Sequence, residues 1–126
     1  MLTLQELEVY KTAMDIGETI SKIIITWNFF DKDTLGKQLI RSADSIALNI
    51  SEGYGRYSFK ENKMFCYYSR GSAYETQCAL KKAHQRALIN DEIFSILNQQ
   101  ITSFLKLLNG YIRYITKVSN QIPTNQ

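Results

Sequence analysis

Five side chains between Lys63 and Lys81 could do chemistry together, because Lys63, Tyr67, Arg70, Tyr74 and Lys81 recur at the spacing of one helix face. At 100° per residue they share an arc of roughly 60°, spread over about 27 Å of helix. Cations alternating with tyrosines could grip phosphates while the rings stack on unpaired bases. The same pattern also fits a solvated ridge or a contact between subunits. Lys106, Arg113 and Lys117 supply a second basic row further along the chain.

A second stripe joins Arg41, Ser45, Asn49 and Glu52. A solvated helix face is its simplest meaning. Against that, short Ser and Asn side chains compete with the helical backbone and suit a buried or interfacial hydrogen-bond network better. Glu75 falls on the Met64, Tyr68 and Ala79 side of its helix, and if buried there it would need a partner such as Arg41 or Arg70. Gly53-Tyr54-Gly55-Arg56 has glycines that could let backbone approach an anion. It follows a helix rather than a strand and lacks a third glycine and a Gly-Lys-Ser/Thr ending, so it reads as an interhelical turn. Asn49-Ile50-Ser51 matches the glycosylation acceptor pattern only by accident, since it lies mid-helix.

Catalytic chemistry finds little support. His84 is the only histidine and no Cys-x-x-Cys pair exists, so the ligands of a histidine- or thiolate-rich metal site are missing from a single chain. His84 itself reads as a helix-surface residue. No Ser, Thr or Cys has a base placed near it by periodicity, and the carboxylates look scattered. The expectation is a binding subunit with neither catalytic site nor cofactor.

The elements that position these residues follow from the 3.6-residue period. Val9, Ala13, Ile16, Ile20, Ile23, Ile24 and Trp27 make a core stripe on a first helix, with a weaker stripe of Tyr10, Met14, Gly17 and Ser21 beside it. Asn28 to Asp33 breaks the pattern, and Asp31 or Asp33 can cap a second helix over about 33–52. Its core stripe is Leu35, Leu39, Ala43, Ile46 and Ile50. Gly53 and Gly55 should end it by adopting the left-handed conformation of a C-terminal cap. Ser58 followed by Glu61 is a capping-box start for a third helix over about 58–86, whose inner side reads as Met64, Phe65, Tyr68, Ser72, Ala79 and Ala83. Asn90 or Asp91 caps a fourth, with a seam of Ile93, Leu97, Ile101, Phe104, Leu108, Tyr111 and Ile115. Phe94, Leu105 and Ile112 widen that seam beyond what one intramolecular groove requires, which points to contact with another subunit.

Together these readings give one all-α domain, an up-down four-helix bundle over residues 1–118 with a loose polar tail over 119–126. The 126 residues suffice for one core. With 6 glycines and 1 proline, Pro123, the chain has few breakers, which favours long helices. The formal net charge of +3 is unevenly spread: residues 1–35 carry three basic against six acidic side chains, and residues 36–126 carry twelve against six. Such a split is compatible with an anionic partner. The N-terminus lacks a basic head followed by an apolar run, and Ile23-Ile24-Ile25 is far too short to span a bilayer, which takes roughly 20 residues. A cytoplasmic location without membrane contact is expected. Cys66 and Cys78 share the third helix about 18 Å apart and cannot form a disulfide with each other there.

Three spaced motifs resemble a known family. Gly36-Lys37-Gln38-Leu39-Ile40-Arg41-Ser42-Ala43-Asp44-Ser45-Ile46, then Asn49-Ile50-Ser51-Glu52-Gly53-Tyr54-Gly55-Arg56, then Ser69-Arg70-Gly71-Ser72-Ala73-Tyr74-Glu75 are similar to the bacterial four-helix-bundle proteins called 23S rRNA intervening-sequence proteins. Leu7 to Ala13 resembles their opening, and the likeness covers about residues 7–115. It implies an up-down bundle that assembles into a ring-shaped homo-oligomer, typically a pentamer, with an RNA-related role. A related accessory protein of diversity-generating retroelements forms a similar basic ring that binds nucleic acid and reverse transcriptase, so a nucleic-acid-handling protein is also an implied partner. The motif residues carried over are Arg41, Ser45, Asn49, Glu52, Gly53, Gly55, Arg56, Arg70, Gly71, Ser72 and Glu75. Where many members have a proline near the end of the first helix, this chain reads Trp27-Asn28-Phe29-Phe30, and Cys78-Ala79-Leu80 replaces a more aliphatic continuation.

Overall fold

In a computed structural model that describes residues 2–121, four long helices carry the chain: α1 (Glu8–Ile24), α2 (Lys37–Tyr54), α3 (Phe59–Gln85) and α4 (Asp91–Asn120). Among the described residues there is no β-strand. Each helix packs on its neighbour in sequence and α4 closes back on α1. Cross-helix contacts pair early residues of one helix with late residues of the next. Ser42 meets Thr76 and Ser69 meets Ile46, while His84 meets Phe94 and Asn62 meets Tyr111. Consecutive helices are therefore antiparallel, the arrangement short loops impose.

The aliphatic stripes meet in one core, with Ile16, Ile20, Leu39, Ile46, Ile50, Leu97, Ile101, Phe104, Leu108 and Ile115 fully buried. Expected residues of α1, α2 and α4 fill it, except that Ile23, Ile93 and Tyr111 are only partly buried. Phe94, Leu105 and Ile112 also pack partly buried against this core. The inner side of α3 differs too. Met64 and Tyr68 are exposed, and the buried residues are Cys66, Ser69, Ala73, Thr76, Ala79, Leu80 and Ala83. Small residues let α3 approach α2 closely, and that gain outweighs the bulk of the aromatic side chains in setting the helix's rotation.

Three boundaries depart from the sequence reading for local reasons. The α1–α2 connection is helical, because Asn28 Oδ1 accepts from the Asp31 amide and starts a turn at Phe29–Asp31. A wide π-turn over Lys32–Gly36 then leads into α2, so neither Asp31 nor Asp33 is the cap. Gly53 and Gly55 do not end α2 in the left-handed region: no glycine among the described residues has positive φ, and Gly55 has φ −79°. Gly53 instead permits close approach, since a β-carbon there would lie 2.7 Å from Asn62 Oδ1 and 2.8 Å from Phe65 Cβ. The left-handed residue is Ala87, φ 60°, between α3 and α4. There the Leu88 amide donates to the Ala83 carbonyl and the Ala87 amide to that of His84, the two bonds of a Schellman motif. Ser58 and Asn90 cap α3 and α4 as expected, each accepting from the amide three residues on. Helix α4 continues through Ser119 and Asn120, past the expected boundary at 118, and residues 122–126 of the expected tail lie outside the described residues.

Candidate nucleic-acid interface

The side chains of Arg70, Tyr74 and Lys81 share one face of α3 with Gln77, whose amide donates to Asn98 Oδ1 on α4 at 3.4 Å. That bond puts the ridge on the shoulder of α3 that borders α4. Tyr67 and Tyr74 are 44% and 58% exposed, enough for one face of each ring to be reached by a ligand. The Arg70 guanidinium lies over the Tyr67 ring, 4.9 Å from its centroid, which fixes a cation beside an aromatic surface. Lys63 and Arg70 are partly buried and Lys81 is exposed. Ion pairs among the described residues involve Lys11, Lys37, Arg56 and His84 and none of the ridge cations. Lys106, Arg113 and Lys117 are exposed on α4, turned roughly 60–100° further towards solvent than Asn98. The second row thus lies on the solvent face of α4, roughly opposite its buried stripe.

The stripe containing Ser45 and Asn49 is a network within the protomer. Asn49 Nδ2 donates to the Ser45 carbonyl and lies 2.9 Å from Ser45 Oγ, which is 3.0 Å from Ser72 Oγ on α3. Thr76 Oγ1 donates to the Ser72 carbonyl at 2.7 Å and sits 3.0 Å from Ser42 Oγ. Ser69 Oγ donates across the helix pair to the Ile46 carbonyl at 2.8 Å. Sequence reasoning found Ser45, Asn49 and Ser72 but missed Ser42, Ser69 and Thr76. The signal was available, since Ser69, Ala73, Thr76, Leu80 and Ala83 recur at helical spacing.

The charged ends of the stripe do not join it. Arg41 and Glu75 are exposed, and among the described residues neither has an ion-pair partner within the protomer. The buried pair expected of Glu75 with Arg41 or Arg70 is absent because the rotation of α3 turns Glu75 outward. Arg56 is a clamp on the α2–α3 turn: it pairs with Glu52 at 2.7 Å and Glu61 at 3.7 Å and covers the Phe65 ring at 4.7 Å. Gly71 is exposed with open space where a β-carbon would be. His84 is more than a surface residue, stacking on Phe94 at 4.5 Å with Nε2 2.6 Å from Asp91 Oδ1.

Other groups come together only in three dimensions. Asp44 on α2 faces Glu18 on α1, and burial first, then the Glu18 charge, raises its carboxyl above the usual value. Burial pushes the Cys66 thiol up to about 12, whereas Cys78 is exposed. Tyr54, Tyr57, Phe59, Tyr111 and Tyr114 with Asn62 line a cleft of about 530 Å³ at the α2–α3 turn. Burial there raises the Tyr111 phenol, which accepts from Asn62 Nδ2 at 3.4 Å. Among the described residues no helix is long and apolar enough to cross a membrane.

A family model described as 23S rRNA-intervening sequence protein matches residues 5–110. A solved structure of a protein with unknown function from the S23 ribosomal protein family of Bacteroides thetaiotaomicron VPI-5482 is similar with a TM-score of 0.74 and 23% identity. The match covers 82% of this chain and 97% of that one. No curated protein matches. The resemblance carried by the three sequence motifs is borne out.

Proposed function

From the premise that this chain belongs to the 23S rRNA-intervening sequence protein family, we propose that it is a non-enzymatic, homo-oligomeric binding module for RNA or a nucleoprotein complex in the cytoplasm. The observation that carries the reading is the α3 shoulder. Lys63, Arg70 and Lys81 have no carboxylate partner among the described residues and alternate with the accessible rings of Tyr67 and Tyr74. Unpaired cations are free to replace counterions on phosphates, and the rings offer stacking surfaces that tolerate any base. Lys106, Arg113 and Lys117 extend the positive field from α4. Ring assembly, with five copies as the family resemblance implies, would repeat this shoulder around an axis.

The test is binding of single-stranded RNA of mixed sequence across a salt series. Changing Lys63, Arg70 and Lys81 to Gln should lower affinity and flatten the logarithmic salt slope by roughly 0.7 per lost contact. Changing Tyr67 and Tyr74 to Leu should weaken binding by about 1–3 kcal/mol per stacked base with little change in slope. Wild-type protein without salt-sensitive binding, or folded variants that bind as wild type, would overturn the proposal. The other reading, a protein-interaction scaffold, draws support from exposed Leu48, Met64 and Tyr68 on the outer surfaces of α2 and α3. Binding of a protein that resists added salt would favour it.

A further inference from the structure

At the opposite end of α3 from its Ser58 cap, four cations from two helices line one cleft of about 500 Å³. Lys37 and Arg41 stand one turn apart on α2, and Lys82 and Arg86 one turn apart at the end of α3. Among the described residues the only carboxylate in the walls is Asp33, delivered by the π-turn and 2.7 Å from Lys37. Arg41, Lys82 and Arg86 have no carboxylate within ion-pair distance among the described residues. Cations at a helix C-terminus face the negative end of its dipole, which accounts for Lys82 and Arg86. It does not account for Lys37 and Arg41, which a second helix adds to the same space. Like charges gathered within a screening length of about 8–10 Å repel each other unless an anion joins them.

We propose that this cleft is a binding site for a triphosphate group, carried either by a free nucleotide or by the 5′ end of an RNA. The walls hold four cations against one carboxylate, so a single phosphate would leave charge unmatched, whereas a chain of three phosphates can engage both helices. Arg41 and Arg86 supply planar forks suited to paired phosphate oxygens, and Lys82 adds a point charge. Among the described residues no aromatic ring lines the cleft, so nothing there reads a base. Tripolyphosphate, ATP and GTP therefore bind alike. The cleft is separate from the α3–α4 shoulder, because Lys82 and Arg86 turn towards α2 rather than α4.

The experiment titrates the full chain with sodium tripolyphosphate by calorimetry at about 150 mM salt, where unspecific attraction is screened. Saturable binding is expected, weakened about tenfold or more in R41Q/R86Q, whose two lost charge-assisted contacts act on exposed positions. The K22Q/K60Q control, which removes as much charge elsewhere, and the shoulder variant K63Q/R70Q/K81Q should bind tripolyphosphate as wild type does. A 5′-triphosphate RNA that gains affinity over its 5′-hydroxyl counterpart, with the gain lost in R41Q/R86Q, identifies the RNA end as the source. Equal binding of both RNAs beside tight GTP binding identifies the free nucleotide. Absence of saturable tripolyphosphate binding, equal loss in the control, or wild-type affinity in R41Q/R86Q of unchanged helical content overturns the proposal. Failure of the shoulder variant to lose RNA would overturn the RNA-module reading and leave this one standing.

Discussion

A β-carbon at position 17 would lie 2.8 Å from Asp44 Oδ1, so the carboxylate of Asp44 occupies the space that Gly17 leaves on α1. Burial, then repulsion from Glu18, raises its pKa above 3.8. A raised folded-state value means the native protein holds this proton more tightly than the unfolded chain does. Its contribution is complete below the unfolded value and is lost as pH rises through the folded one. Asp44→Asn should therefore melt higher than wild type at neutral pH, and the difference should vanish near pH 3; equal melting temperatures at both pH values would contradict this. Nothing in the sequence disclosed the pair, because Gly17, Glu18 and Asp44 meet only when α1 packs on α2. The α3 ridge was legible for the opposite reason. Its members are long, exposed and on one helix, so spacing alone fixed their common face. Arg41 and Glu75 were misjudged because a buried pair was inferred from a helix rotation that small residues, not aromatic ones, decide. Their exposure makes single alanine changes nearly neutral for the protomer, within about 0.5 kcal/mol.

Caps at Ser58 and Asn90 followed from residue type because each acts within four residues of itself. Gly53 shows the limit of that local logic. It has the residue type of a helix stop, yet it sits inside α2 where Asn62 and Phe65 of α3 press against it. Gly53→Ala should force the two helices apart and cost about 1–3 kcal/mol in chemical denaturation, the range for overpacking; unchanged stability would return Gly53 to a turn-only role. Ala87 is the reverse case, a residue with no turn signature in the left-handed region at φ 60°. The Schellman bonds from Leu88 and Ala87 hold it there. Left-handed backbone costs an L-residue roughly 1–2 kcal/mol, and glycine avoids most of that. Ala87→Gly is thus expected to raise stability by about 1 kcal/mol despite the greater freedom it gives the unfolded chain. A loss of stability would mean the Schellman turn depends on the alanine side chain.

Across the whole molecule, unpaired cations and exposed apolar side chains are both spread over several helices. Unpaired cations line both the α3 shoulder and the α2–α3 cleft, whereas Leu48, at 66% exposure, and Tyr68, at 51%, stand on the outer surfaces of α2 and α3. The sequence reading assigned subunit contact to Phe94, Leu105 and Ile112, which the bundle itself partly covers; a monomer's own packing absorbs apolar width that looks excessive on a single helix. Leu48 and Tyr68 are the exposed apolar pair proposed to be covered on assembly. Light scattering at micromolar concentration should give a mass above that of one chain, and L48E/Y68E should return it to a monomer with unchanged helical content. A monomeric wild type, or a variant of undiminished mass, would refute this assignment. The same variant separates assembly from ligand contact. Copies joined in one particle engage a long RNA with a high effective concentration, so monomerisation should lower apparent affinity for long RNA steeply. Affinity for an oligonucleotide short enough to occupy one shoulder should stay unchanged, because Lys63, Tyr67, Arg70, Tyr74 and Lys81 all belong to a single helix.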